Sequence, residues 1–236
     1  MITDKKKILS TRPLPQPLIN DAASDNIDID VISFIHTEAL ESNALASQLA
    51  ELFTKKIVAV FTSMNAVEAI TAFGFRDPEW KIFCIGDTTA TLVRKHFGNV
   101  IAGSAINASE LADVILDAEL REVVFFCGDQ RRPELPEKLK SNNVAVKEVV
   151  VYKTTATPES LKKEYDGILF FSPSAVESFF AVNSLNNETV LFAIGGTTAD
   201  TIRKFSDNPV ITSERPGKEA LGLKAIAYFK SIRALH

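Results

Sequence analysis

Two long stretches of this chain repeat each other at a constant separation of 109 positions. When Phe61–Glu110 is aligned without a gap to Phe170–Glu219, 18 of the 50 positions are identical. Ordinary composition would give about 3 identities by chance. The repeated block is longer than the unit of a solenoid. The 236 residues are therefore expected to form two homologous halves, each of about 100 residues, the size of a small domain.

Each half also has an opening portion that matches more loosely. Ile8–Pro13 opens the first half, and Val123–Pro133 opens the second. Both openings lead to an extended stretch of alternating apolar and polar residues, at Ile27–Thr37 and Val144–Thr154. These stretches lie 117 positions apart (154 − 37 = 117), so the halves differ in length between their two portions.

Short apolar runs alternate with helical patterns along both halves. The runs predict buried parallel strands at Lys7–Ser10, Ile57–Thr62, Lys81–Ile85, Val123–Cys127, Gly167–Phe171 and Val190–Ile194. The predicted helices are Asn65–Phe73, Thr88–Phe97, Ala108–Ala118, Pro133–Asn142, Ser174–Asn183, Thr197–Phe205 and Gly217–Lys230. This order predicts an α/β fold of two similar parallel-sheet domains flanked by helices. The alternating stretches Asp28–Phe34 and Ala145–Tyr152 are instead typical of a half-exposed, two-stranded connection.

Composition narrows the classes of protein to consider. Hydrophobic residues make up 46% and charged residues 24% of the chain, as in an ordinary globular protein. No apolar segment follows the charged start Met1–Lys7, and no run approaches the ~18 apolar residues of a membrane span, so a cytoplasmic protein without a membrane partner is expected. The net charge of −4 disfavours nucleic-acid binding.

The cysteines and histidines do not form a recognisable chemical pattern. Cys84 and Cys127 each end an apolar run, which predicts buried, reduced thiols. His36, His96 and His236 are scattered along the chain. Neither a metal site nor a Cys/His nucleophile is therefore predicted.

The residues that follow the predicted strands are the candidates for ligand binding, because ligands of parallel sheets bind at the carboxyl ends of the strands. Thr62-Ser63-Met64-Asn65 has a repeat partner in Phe171-Ser172-Pro173-Ser174. Helix capping alone would explain these small polar residues. The N–H groups of such a turn also bind anions, and its repetition at one sheet edge favours binding through Ser63, Asn65, Ser172 and Ser174.

A second pair of turns contains glycine and threonine. Gly86-Asp87-Thr88-Thr89 corresponds to Gly195-Gly196-Thr197-Thr198. Glycine allows close approach of the backbone to a ligand, so this pattern predicts a site for a carboxylate or phosphate. It matches neither a Walker A loop nor a dinucleotide fingerprint. Because Asp87 stands where the other copy has Gly196, the two copies should differ in their affinity for anions.

Arginine and tyrosine complete the set of candidates. Arg131 follows Gly128-Asp129-Gln130, and Arg12 lies in the corresponding Thr11-Arg12-Pro13. Either arginine could bind a carboxylate or lie solvated on the surface. Lys218 is a further candidate anion contact. Tyr152, in Val151-Tyr152-Lys153-Thr154, is either a packing aromatic or a hydrogen-bond donor in a cleft.

Four of these segments together resemble the uroporphyrinogen-III synthase family: Phe61–Val67, Val151–Thr154, Phe171–Val176 and Ala193–Ala199. The likeness extends from Ile8 to about Phe229. It implies a discontinuous first domain, residues 1–34 and 157–236, and a second domain, residues 38–149. The stretches 28–37 and 145–156 would be connecting strands that form a hinge, with a tetrapyrrole in the cleft between the domains.

The resemblance also implies a reaction. A lyase of porphyrin and heme biosynthesis would close hydroxymethylbilane with loss of water and inversion of ring D, through a spiro intermediate. Tyr152 would assist departure of the hydroxyl group. The implied substrate-binding residues are Arg12, Ser63, Asn65, Gly86, Thr88, Thr89, Arg131, Ser172, Ser174, Gly195, Thr197 and Thr198. The family resemblance implies no cofactor. A monomer without a metal site is expected, with the preceding enzyme of the pathway as a candidate partner.

Two other functions are compatible with these residues. A non-catalytic two-domain module that closes on an anionic small molecule would have the same hinge and polar turns. A family member that has lost activity and serves regulation is the other alternative. Conversion of hydroxymethylbilane to the III isomer of uroporphyrinogen would distinguish the enzyme from both of these alternatives.

Overall fold

The computed structural model describes residues 5–98, 101–214 and 217–233. Within these residues the elements in chain order are β1 (Lys6–Ser10), α1 (Gln16–Ser24), β2 (Ile27–Val31), β3 (Ile35–Ala39), α2 (Asn43–Phe53), β4 (Val58–Phe61), α3 (Met64–Thr71), β5 (Lys81–Ile85), α4 (Gly86–Phe97), β6 (Ile101–Ala105), α5 (Ala108–Asp117), β7 (Glu122–Gly128), α6 (Glu134–Ser141), β8 (Ala145–Ala156), β9 (Gly167–Phe170), α7 (Pro173–Phe180), β10 (Val190–Ala193), α8 (Gly196–Ile202), β11 (Val210–Thr212) and α9 (Lys218–Arg233). The chain divides into unit 1, residues 1–36 and 155–236, and unit 2, residues 37–154.

Unit 1 contains a sheet with the strand order β11-β10-β9-β1-β2. Its strand pairs are parallel. The central strands β9 and β10 are buried along their whole length, as expected for strands covered on both faces. Side chains alternate between the faces, so Ile8 packs in a cluster with α1 and α9, whereas Leu9 packs in a cluster with α7 and α8.

Unit 2 contains a sheet with the order β3-β8-β7-β4-β5-β6. The pairs from β8 to β6 are parallel. The edge strand β3 runs antiparallel to β8, because Leu40 N–H donates to Val151 O while Thr157 N–H donates to Phe34 O. Phe61 faces a core cluster with α2, α3 and α4, and Val60 faces a second cluster with α5 and α6.

The two units share one topology with different starting points. The repeat at 109 positions superposes β4-α3-β5-α4-β6-α5 on β9-α7-β10-α8-β11-α9, and β7-α6-β8 then corresponds to β1-α1-β2. Numbered from β1 in unit 1 and from β7 in unit 2, the parallel strands of both sheets have the order 2-1-3-4-5 of a doubly wound fold, and β3 is an additional edge strand in unit 2. The β-α-β piece comes first in unit 1 and last in unit 2.

The predicted α/β fold class is confirmed, and the six predicted strands lie within one or two residues of their observed bounds. Four elements were not predicted: α1, α2, β6 and β11. Leu45, Leu49 and Leu52 of α2 are buried at helical spacing, a signal that is readable in the sequence. Strand β6, Ile-Ala-Gly-Ser-Ala, has only one strong strand former, Ile101, so its formation depends on pairing with β5.

The alternating stretches differ from the prediction. Residues 28–31 belong to β2, which pairs with β1 in the sheet of unit 1, and only β3 lies along β8. Edge strands and exposed connections both alternate apolar and polar residues, which is why the pattern did not separate them. The role of these strands as a hinge stays a prediction. Arg215, Pro216 and His236 lie outside the described residues.

Candidate active site

Each sheet has one place where the connections diverge to opposite sides, and such a switch point forms a crevice at the carboxyl ends of the strands. In unit 2 it lies between β4 and β7, and in unit 1 between β1 and β9. The residues that follow these strands are Ser63 and Asp129 in unit 2, and Thr11 and Ser172 in unit 1. The structure therefore places the predicted Ser63 and Ser172 at the switch point of their own unit.

Ser63 caps a helix of unit 2 and interacts with the predicted catalytic residue Tyr152. Ser63 Oγ caps α3 by accepting a hydrogen bond of 3.2 Å from Asn65 N–H. Its hydroxyl also interacts with Tyr152, whose side chain is half-buried. Burial raises the pKa of the Tyr152 phenol above its ordinary value, although the Ser63 hydroxyl acts in the opposite direction. The phenol is therefore protonated at neutral pH and can donate a proton or a hydrogen bond.

The turn from β5 to α4 differs from the turn after β4 because no described side chain caps the helix. Gly86 begins α4 with φ +74°, a conformation that favours glycine. Thr88 is exposed, whereas Thr89 is only 4% exposed. The Thr89 side chain thus lies in the interior, and the first-turn N–H groups are what this turn can offer an anion.

Unit 1 repeats both turns. Ser172 caps α7 through a hydrogen bond of 3.2 Å from Ala175 N–H, and Ser174 is half-buried beside it. No described side chain caps α8, where Gly195 is the N-cap residue. Thr197 is exposed, and Thr198 is 3% exposed. Here too the backbone N–H groups, rather than the inner threonine, are available to an anion.

The glycines of the α8 turn have no structural explanation within the described part of the chain. A Cβ atom at Gly195 or Gly196 would meet no described atom within 4 Å. Gly195 is extended, with φ −171°, so any residue could adopt its conformation. By contrast, Gly222 packs directly against Leu18. The open space above Gly195 and Gly196 is what close approach of a ligand to the backbone would require.

The predicted arginines differ in their surroundings. Arg131 Nε donates to Glu148, whose other carboxylate oxygen accepts from Lys140 Nζ at 2.9 Å. Burial acts to raise the pKa of Glu148, but the bonds from Lys140 and Arg131 outweigh it and hold the pKa below its usual range. Arg131 is thus already paired with a carboxylate. Arg12 is exposed and makes no ion pair with a described residue.

Cys84 and Cys127 are free and buried, as predicted. Burial raises the pKa of each thiol to about 11, so neither is a nucleophile at neutral pH. The described residues contain no group of His, Cys, Asp and Glu side chains that could hold a metal ion. Among the helices described, none has both the length and the apolar character needed to cross a membrane.

The fold and these turns define a class of protein: two doubly wound α/β units, each with turns of serine, threonine and glycine at the carboxyl edge of its sheet. Residues 22–222 match the family model HEM4, described as uroporphyrinogen-III synthase HemD, so the chain belongs to this family.

Relatives and solved structures agree with the family match. The chain is 29% identical over 161 residues to uroporphyrinogen-III synthase of Saccharomyces cerevisiae, covering 56% of this chain and 57% of that protein. It is 26% identical over 165 residues to the enzyme of Schizosaccharomyces pombe, covering 64% and 63%. The matches thus span less than two thirds of either relative.

Two solved structures share the fold. A mutant uroporphyrinogen III synthase of Thermus thermophilus has a TM-score of 0.69 at 16% identity, covering 97% of this chain and 99% of its own. Uroporphyrinogen-III synthetase of Helicobacter pylori has a TM-score of 0.66 at 16% identity, covering 94% and 99%. At this level of identity the likeness shows the fold.

Proposed function

We propose that this chain is a uroporphyrinogen-III synthase, a lyase that closes hydroxymethylbilane to uroporphyrinogen III with loss of water. The observation that carries the proposal is the family match over residues 22–222, because this range includes the candidate anion-binding turns of both units and Tyr152. A linear tetrapyrrole with several carboxylates suits uncapped helix N-termini and an exposed arginine.

In this proposal Tyr152 assists the first step. The protonated phenol donates its proton to the hydroxymethyl oxygen as the C–O bond breaks, and the bonding electrons leave with oxygen as water. Departure of water leaves an electron-poor azafulvenium cation and the Tyr152 phenolate, and the substituted carbon of ring D attacks the cation to give the spiro intermediate. The Ser63 hydroxyl would support the transient phenolate, because a donor to the phenolic oxygen favours the anion.

The other candidate residues would act by positioning. Gly86, Thr88 and Thr89 in unit 2 and Gly195, Thr197 and Thr198 in unit 1 would hold carboxylates mainly through backbone N–H groups. Orientation of a folded substrate can lower a barrier by several kcal/mol without a strong acid or base. Loss of one exposed hydroxyl from this set, as in Thr197→Ala, should therefore change KM only a few fold, since a single hydrogen bond contributes about 1 kcal/mol.

The decisive experiment supplies hydroxymethylbilane to the purified protein and separates the III and I isomers of the product. The proposal expects the III isomer, whereas a reaction without protein gives the I isomer by spontaneous closure. Formation of the I isomer alone, even with tight binding of the substrate, would exclude a synthase and favour the non-catalytic binding module.

The role of Tyr152 is tested separately. Tyr152→Phe should lower kcat by roughly 100-fold, the lower end of a general acid's contribution, because the substrate also closes spontaneously. KM should change little, since the phenol assists departure of the hydroxyl group. Full activity in Tyr152→Phe would remove Tyr152 from the mechanism.

The family resemblance also supports a cytoplasmic monomer that needs no cofactor and receives its substrate from the preceding enzyme of the pathway. Size-exclusion chromatography with light scattering tests the monomer, and a dimer mass would contradict it.

A further inference from the structure

Strands β7 and β8 change register at the point where they reach the candidate site. Cys127 pairs with Val150, but the next residue, Gly128, pairs with Tyr152. Val151 is therefore an extra residue on β8, which makes this a β-bulge. Bulges bend a strand and turn the side chain that follows toward a different face of the sheet.

The bulge decides which face of the sheet carries Tyr152. Val149 and Val151 are buried in the core cluster that packs against α2, α3 and α4, whereas Val146 contacts the cluster on the opposite face. Regular alternation would place Tyr152 on the same face as Val146. Tyr152 instead packs against the cluster of Val149 and Val151. Because of the extra residue, the Tyr152 ring lies on the face of the sheet that α2, α3 and α4 cover.

Gly128 provides the space for the ring. A Cβ atom at Gly128 would lie 2.9 Å from the phenolic oxygen of Tyr152, and closer still to Cζ and Cε2. Gly128 does not have a positive φ. The absence of a side chain here is therefore required by the position of Tyr152 and not by the backbone conformation.

The loop after β7 holds the backbone on both sides of Lys153. Asp129 N–H donates to Tyr152 O at 3.1 Å. The Asp129 carboxylate accepts from Thr154 N–H at 2.9 Å, and Gln130 Nε2 donates to Thr154 O at 2.8 Å. These bonds keep the end of β8 in its shifted register.

We propose that Gly128 and Asp129 are positioning residues that hold the phenol of Tyr152 on the face of the sheet that packs against α2, α3 and α4. Gly128 acts by leaving room for the ring, and Asp129 acts by maintaining the bulge at Val151. The inference deepens the proposed function, since its kinetic consequence depends on the role of Tyr152 in ring closure.

The geometric part is tested without any substrate. The chain has three tyrosines, so fluorotyrosine labelling gives three fluorine NMR resonances, and Tyr152→Phe assigns the one from Tyr152. Gly128→Ala should shift this resonance and make it insensitive to Ser63→Ala, since the displaced ring no longer interacts with the Ser63 hydroxyl. An unchanged resonance, or an undiminished response to Ser63→Ala, would overturn the proposal.

Gly103→Ala is the matched control. Gly103 is also a strand glycine of unit 2, and a Cβ atom there would lie 2.7 Å from Phe83 and Val114. It therefore introduces a similar clash at a distance from Tyr152. The Tyr152 resonance should not move in this variant. If the resonance moves as it does in Gly128→Ala, the shift is caused by general strain in the core, and the proposal fails.

The kinetic part uses the III-isomer assay. Gly128→Ala should lower kcat by roughly 10-fold or more, toward the value of Tyr152→Phe, and the double variant should lose no more than Tyr152→Phe alone. If the fold-loss of kcat in the double variant equals the product of the two single losses, Gly128 and Tyr152 act independently, and the positioning role of Gly128 is refuted. If the unvaried protein forms no III isomer, the proposed function fails while the NMR result still decides the geometry.

Asp129 offers a second route if Gly128→Ala does not fold. Asp129→Asn retains an oxygen that can accept from Thr154 N–H, whereas Asp129→Ala does not. Asp129→Ala should therefore shift the Tyr152 resonance and lower kcat. Asp129→Asn should have a resonance position and a kcat close to those of the unvaried protein. Equal behaviour of the two variants would contradict a role for the 2.9 Å bond to Thr154.

Discussion

Gly196 offers a test in which protein stability and substrate binding should change in opposite directions. It is the first residue of α8, it is exposed, and a Cβ atom added to it would meet no described atom within 4 Å. Its backbone does not have a positive φ. If folding requires a glycine at this position, a substitution should lower the free energy of unfolding. If the ligand requires it, a substitution should weaken substrate binding without lowering the free energy of unfolding.

The expected magnitudes follow from this environment. Gly196→Ala should stabilise unit 1 by about 0.4–1 kcal/mol, because alanine fits the native conformation and restricts the unfolded chain. Gly196→Asp copies the residue of the other repeat, Asp87. Its carboxylate would lie at a helix N-terminus and contribute about 0.3–1 kcal/mol of stability. The same charge beside a substrate carboxylate costs about 1 kcal/mol, which corresponds to roughly a 5-fold rise in KM.

The assay must report on unit 1 itself. Trp80, the single tryptophan, lies in unit 2, so its fluorescence follows the other unit. Urea unfolding of unit 1 should be followed by tyrosine fluorescence in a Tyr152→Phe background. The two remaining tyrosines, Tyr165 and Tyr228, both lie in unit 1. KM is measured in the chain that retains Tyr152. A loss of stability in Gly196→Ala, or an unchanged KM in Gly196→Asp, would refute the assignment of this turn to the substrate.

Three further predictions concern positions away from these turns. Gly222→Ala should destabilise the protein by about 1–3 kcal/mol in chemical unfolding, because its Cβ would lie 2.5 Å from Leu18 Cδ2; wild-type stability would show that α9 can move. Glu148 has a lowered pKa, so its stabilising contribution is present above its unfolded value near 4.5 and is lost as the pH falls through the folded value. Glu148→Gln should remove this part of the acid sensitivity, and an unchanged stability–pH curve would contradict it. Cys84 and Cys127 should react with thiol reagents at pH 8 only after unfolding, since pKa values of about 11 leave roughly one thiol in a thousand ionised; rapid labelling of the folded protein would show that they are accessible.

The candidate residues were predictable to the extent that they depend on local sequence. Ser63 and Ser172 are the N-caps of α3 and α7, as small hydroxyl residues between a strand and a helix indicate. The pairing of Arg131 with Glu148 was not predictable, because the partners come from a loop and a neighbouring strand 17 positions apart. Gly128 and Asp129 lay within the predicted turn, but their relation to Tyr152 depends on a change of register that leaves no trace in periodicity.

The repeat at 109 positions by itself determined that the chain contains two copies of one α/β topology, because homologous sequences form the same succession of strands and helices. It also determined the strand–turn–helix sites, which depend on residues close together in the chain. Only the tertiary structure decided which β-α-β piece joins which sheet. Leu9 pairs with Ile168 in one sheet, and Val124 pairs with Ala59 in the other. Local patterns are the same for any pairing of compatible strands, so the choice depends on packing between segments that are distant in sequence.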